Sequence, residues 1–179
     1  MLSIDMLKRY RKLGGPILAF AILRYADIFF CLFEFLGTIT MSSFKALMTY
    51  STTATVYTTG FIIANTIIIA LLVAMVYFTH VRKYEKLVIV TFVRFACGIF
   101  YALFTSHMVS LLPFSATDIE KTQSTMPVVI FFSLVVCTFW LFYFTRSKRV
   151  KVYFASEDEY QKMIKDTSDA QIQNIDSQM

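Results

Sequence analysis

Hydrophobic positions fall in four long runs, at about residues 15–36, 57–78, 87–112 and 126–144, and polar positions gather between and beyond them. A helix rises 1.5 Å per residue, so about 20 apolar residues cross a hydrocarbon core of roughly 30 Å. Each run is long enough to do so. The pattern predicts an all-α, polytopic membrane protein: a four-transmembrane-helix bundle over residues 1–154 and a tail over residues 155–179. The first run opens at Gly14-Gly15-Pro16, where proline fits because the first helical turn has no use for its missing N–H. The second holds no formal charge, the third stops at Pro113, and the fourth starts at Met126-Pro127.

Between the runs the chain turns polar in different ways. Residues 37–56 are crowded with Ser, Thr and Tyr and are too polar to span. Phe44, Leu47 and Met48 fall at helical spacing there, which suits either a short element on the membrane surface or a plain loop. Ser42 and Lys45 match an S-x-x-K spacing, but neither companion triad of the acyl-enzyme hydrolases occurs, so no catalysis is expected from them. After Phe154 hydrophobicity fades. Ser156 and Glu159 form a capping-box pattern and Tyr160, Met163 and Ile164 follow at helical spacing, predicting a short helix and then a disordered end.

Charge adds an orientation. Of 17 Lys and Arg, 4 lie in residues 1–12, 3 in residues 80–86 and 6 from Thr145 onward; Lys45 and Lys121 stand alone in the other loops. Thirteen therefore fall on one side and two on the other, with Arg24 and Arg94 inside the runs. Lys and Arg resist translocation, so both termini are expected to be cytoplasmic. Trp140 and Tyr143 precede the last basic run, as interfacial aromatics do. Arg146, Lys148, Arg149 and Lys151 are the expected contacts with anionic headgroups on that side, so membrane lipids are the expected partners.

Composition agrees with the class. The chain is 57% hydrophobic and 16% charged, outside the range of a soluble domain. Its net charge of +5 sits at the ends of apolar runs, so no nucleic-acid role is expected. Cys31, Cys97 and Cys137 all lie inside runs without metal-ligand spacing, and we read them as reduced, with no metal and no cofactor. The first run follows a basic start but is too long for a signal h-region, carries Arg24, Asp27 and Glu34, and lacks a cleavage site, so it should remain as a membrane helix.

The segment Trp140-Leu141-Phe142-Tyr143-Phe144, followed by Arg146-Ser147-Lys148-Arg149-Val150-Lys151 and Phe154, resembles the end of the last helix in the YdgK-like bacterial inner-membrane proteins, a domain of unknown function. Gly14-Gly15, Asn65 and the basic turn at Arg82-Lys83 look like the same family's pattern, extending the resemblance from about Leu13 to Phe154. The chain departs from it at Pro16, where an aromatic residue is expected, in its acidic first helix and in its longer tail. The resemblance implies a multi-pass protein of the bacterial inner (plasma) membrane. It implies no activity, ligand or catalytic residue.

Ionisable groups inside the runs carry the candidate chemistry, because a charge near the bilayer centre costs about 2.5–3.5 kcal/mol even on the lenient insertion scale. Phe20, Arg24, Asp27, Cys31 and Glu34 fall on one helical stripe, with Arg24 and Asp27 three residues apart. On the third run Arg94, Gly98, Ala102 and Ser106 recur every four residues, a small-residue stripe that predicts a helix contact. Arg94 is expected to meet Asp27 or Asn65, and His107 is at about the depth of Glu34. Arg24, Arg94, Asp27 and Glu34 sum to zero charge, as a self-neutralising structural network does. The leading expectation is thus a non-enzymatic accessory or interaction subunit, with a membrane-protein partner or further copies of itself. The alternative is a small oligomeric transporter or ion-translocating subunit using Asp27, Arg94 and Glu34.

Overall fold

The computed structural model describes residues 3–176, and among them every regular element is a helix. In chain order these are α1 (Ile4–Tyr10), α2 (Gly15–Thr40), α3 (Ser42–Tyr50), α4 (Thr52–His80), α5 (Tyr84–Val109), α6 (Ala116–Arg146), α7 (Lys148–Phe154) and α8 (Glu157–Asp176). α2, α4, α5 and α6 are the four helices long and apolar enough to cross a membrane. Their outward faces carry large apolar side chains such as Phe33, 73% exposed, and Phe100, 72% exposed. Helices apolar all round suit a solvent of lipid tails, in which such faces cost nothing.

Neighbouring helices run α2 against α4, α4 against α5, and α5 against α6. α2 and α6 meet at one end, where Phe20 stands edge-on to Trp140 (4.8 Å) and Phe144 (4.9 Å). The buried core is concentrated there: Ile17, Leu72, Met75 and Leu87 pack with those rings, and Val150 and Tyr153 of α7 close it from below. Tyr153 donates its hydroxyl to the carbonyl of Thr79 (3.1 Å), which ties α7 to the end of α4.

α1, α7 and the first turns of α8 lie at this same end of the bundle. Leu7 of α1 packs with Val152, Ala155 and Tyr160. Arg11 stitches the join, donating to the carbonyls of Val152 (3.4 Å) and Ala155, pairing with Glu157 at 3.1 Å and lying over the Tyr160 ring. The capping box at the start of α8 forms in both directions: the Ser156 N–H donates to Glu159 Oε2 (2.8 Å) and the Glu159 N–H to Ser156 Oγ (3.3 Å). The Ser156 backbone N–H, and after it the Ser156 hydroxyl, hold the Glu159 carboxyl below the usual carboxylate range.

Several boundaries differ from the sequence reading. At residues 42–50, where the spacing leaves a short element and a plain loop both open, the chain forms α3, whose Phe44 is buried against Phe61 of α4 at a ring distance of 5.4 Å, because an anchored aromatic favours helix over loop. The fourth long helix starts ten residues before Met126, at Ala116: Ser115 caps it by accepting from the Asp118 N–H (3.2 Å), and Pro127 lies inside it. The tail is not a short helix followed by disorder: α8 runs through Asp176, and its first turns dock on α1 and α7. Residues 177–179, the last of that expected disorder, lie outside the described residues.

Candidate functional site

α2 presents its stripe to the bundle, but its charges do not join a network. Arg24 Nη1 and Asp27 Oδ2 are 2.9 Å apart, the i,i+3 pair that the spacing dictates, and the Arg24 guanidinium also lies over the Phe20 ring at 5.4 Å. Asp27 is therefore engaged by its own helix. Asn65 of α4 donates to the Phe61 carbonyl of the previous turn (2.9 Å) and, at 3.4 Å, to the Tyr101 hydroxyl of α5. It makes no bond to Arg94.

Arg94 points into the bundle without finding a partner. Among the described residues it has no carboxylate within ion-pair distance and no hydrogen bond, and its Nε is shielded from solvent. Two adjoining cavities explain why. One, of about 250 Å³, is lined by Arg24, Asp27, Arg94, Phe95, Ser133 and Cys137, with Phe20 and Trp140 as its floor. The other, of about 350 Å³, lies beside Glu34, Asn65, Arg94, Gly98, Tyr101 and Ser133. Arg94, Phe95 and Ser133 belong to both, so the guanidinium stands at the waist of a divided space between α2 and α6.

The expected self-neutralising network of four charges is thus corrected, among the described residues, to one ion pair and two groups without an ion-pair partner. α4 separates α2 from α5 on one side and the cavities separate them on the other, so Arg94 is held away from Asp27 and Glu34. His107 makes no ion pair with Glu34, because its side chain is exposed and only its carbonyl is used, by the Ser110 hydroxyl (2.6 Å). The small-residue stripe is corrected likewise. A Cβ built at Gly98 would meet only Arg94 Nη1, at 3.6 Å, so that glycine faces the cavity and not a helix backbone. Gly60 of α4 is the tight position instead, with a built Cβ 2.5 Å from Phe104 Cζ; a lone Gly in an apolar run was the only sequence sign of it.

Of the four basic residues expected at headgroups, Arg146, Lys148 and Lys151 are exposed. Arg149 is not free in the same way: it folds back over the Tyr10 ring (5.3 Å) and onto the backbone of Gly14 and Gly15. Cys31, Cys97 and Cys137 are unpaired, and no group of three or more His, Cys, Asp or Glu among the described residues is placed to hold a metal.

A half-buried guanidinium with a shielded Nε, mixed apolar and polar walls and free volume beside it has one evident capacity. It can receive an anion, because a charge-assisted bond formed away from water is strong and specific. Comparison of the chain with family models, with characterised proteins and with solved structures found no match, and the family resemblance therefore rests on the residues quoted above.

Proposed function

We propose that this chain is a plasma-membrane protein that takes a small organic anion into its helix bundle, a carrier or the binding subunit of one. The unpaired Arg94 at the waist of two cavities carries this reading. A structural network leaves no charge without a counter-charge, since the uncompensated member costs more than the pair returns. A binding site leaves one by design, and the guest completes it.

The lining narrows the guest. Phe95, Ile99, Met126 and Val129 are apolar, Asn65 and Ser133 supply hydrogen-bonding groups, and Glu34 lies on the second cavity, where it disfavours a further negative charge. A monoanion with an apolar body, such as a short monocarboxylate, fits those walls. The Phe20, Trp140 and Phe144 plug closes the end of the bundle that holds the termini, so the solute approaches along the open α2–α6 seam. Purified protein in neutral detergent should be melted against acetate, hexanoate, decanoate, phosphate and chloride. At least one carboxylate should raise the melting temperature, by the equivalent of about 2.7 kcal/mol at a hundredfold excess over its dissociation constant. The response should vanish in Arg94→Met and survive in Lys45→Gln. If no anion shifts the wild type and proteoliposomes accumulate none, the carrier reading fails.

The termini face the cytoplasm in this reading, supported by the thirteen-to-two division of basic residues and by the packing of α1 with α7 and the start of α8 at one pole of the bundle. Reporter fusions placed at Thr49 and Gln123 should report translocated positions and a fusion after residue 179 a cytoplasmic one. A translocated C-terminus would overturn the orientation.

A further inference from the structure

At the pole where the termini meet, a cavity of about 510 Å³ is lined by Arg9, Tyr10, Lys12, Gly14, Gly15 and Arg149. Three of these are cations, and no carboxylate among the described residues lines it. Cations drawn together without an anion repel one another, and surface charges normally avoid that by spreading apart. Here the fold prevents it for Arg149. Its guanidinium lies over the Tyr10 ring, and its Nη2 would be 2.9 Å from a Cβ added at Gly14 and its Nη1 3.1 Å from one at Gly15. Gly15 also has φ +55°, a backbone conformation that favours glycine, and a side chain at either position would push the guanidinium off the backbone. Arg149 Nε is sealed from solvent without a hydrogen-bond partner, which commits the rest of the group to the cavity side. Arg9 and Lys12 are exposed and make no ion pair among the described residues, so their charge is available.

A second observation specifies the other half of the ligand. From Gly15, exposed apolar side chains climb α2 at spacings of three and four: Leu18, Ile22, Tyr25 and Phe29. They form one helical stripe leading out of the cationic cavity into the zone that the long helices span. An anionic head joined to an apolar tail matches the two halves.

We infer that the cavity formed by Arg9, Lys12 and Arg149 over Gly14-Gly15 is a binding site for the phosphate headgroup of an acidic phospholipid whose acyl chains lie along the Leu18 to Phe29 stripe. This site is separate from the Arg94 cavities. It uses the charge excess of the termini-bearing pole in one defined place, where a diffuse basic collar would use it everywhere. Holding the headgroup between α1, α2 and α7 also fastens the short helices to the bundle through the lipid.

The test uses the full chain in neutral detergent, with melting temperature followed during titration of phosphatidylglycerol, phosphatidylcholine and inorganic phosphate in separate arms. Phosphatidylglycerol should give a saturable rise and phosphatidylcholine none. Arg149→Gln risks disturbing the packing on Tyr10, so the variant pair Arg9→Gln with Lys12→Gln, both exposed, is the informative one. It should melt as the wild type does without lipid and bind phosphatidylglycerol about 30-fold more weakly. Lys148→Gln with Lys151→Gln, exposed cations outside the cavity, should leave that affinity within about twofold. Equal weakening by the two pairs would overturn the site in favour of diffuse surface charge. A rise with inorganic phosphate that phosphatidylglycerol does not exceed would replace the lipid by a free anion and overturn the role of the stripe. Unchanged binding in the Arg9/Lys12 pair would overturn the site altogether.

Discussion

Arg94→Met is expected to make the empty protein more stable, by about 2 kcal/mol, while it abolishes the response to carboxylates. The substitution keeps the length and apolar stem of the side chain and removes a charge that has no ion-pair partner among the described residues. Such a charge costs about 2.5–3.5 kcal/mol at the centre of a spanning helix, and part of that is already relieved by the space beside Arg94. The sign is what matters. A structural role for Arg94 requires the same variant to lose stability, as Asp27→Asn should, since that change breaks the 2.9 Å pair with Arg24 and strands a cation. Asp27 has a side chain 37% exposed, so its loss should cost about 2 kcal/mol and not the 3–5 kcal/mol of a fully buried pair. Opposite shifts for the two variants, measured by thermal unfolding in one detergent, support a binding cavity at Arg94. Parallel losses support a structural network and count against the carrier.

Phe20→Ala should cost about 3 kcal/mol, the range for removing a large buried aromatic from a core that cannot close over the hole. Phe20 is 1% exposed and touches both Trp140 and Phe144, and it is the main junction of α2 with α6. Lipid tails are as apolar as the core, so the loss comes from packing and not from exposure to water. The chain has a single tryptophan, which makes the readout direct. Trp140 emission should broaden and shift as its edge-on neighbour disappears, and the floor of the smaller cavity should open toward the termini. An unchanged Trp140 spectrum with an unchanged melting profile would show that the plug is held by other contacts.

The sequence by itself determined the class of this protein and the identity of its unusual residues. Four apolar runs of spanning length, divided by two polar loops and one basic turn, are local features, and α2, α4, α5 and α6 follow from them because a helix satisfies its own backbone inside a membrane. The Arg24–Asp27 pair and the Ser156–Glu159 capping box were legible for the same reason. Each is fixed by a separation of three residues on one helix. The ends of the elements were less legible. α3 depends on Phe44 meeting Phe61, and the docking of α8 on Leu7 meeting Tyr160, which are contacts between distant parts of the chain.

Only the tertiary structure decided what the remaining charges do. A zero sum over Arg24, Asp27, Glu34 and Arg94 suggests mutual neutralisation, but charge balance carries no distance. Placing α4 between α2 and α5, and leaving cavities between α2 and α6, separates Arg94 from both carboxylates and turns an apparent network into a cavity with one open cation. The basic run from the end of α6 into α7 likewise reads as four equal headgroup contacts until α7 folds back beneath the bundle. That turn carries Arg149 onto Tyr10 and the paired glycines, and leaves Arg146, Lys148 and Lys151 exposed. Spacing along a helix reports which residues share a face, and the packing of one helix on another decides what that face meets.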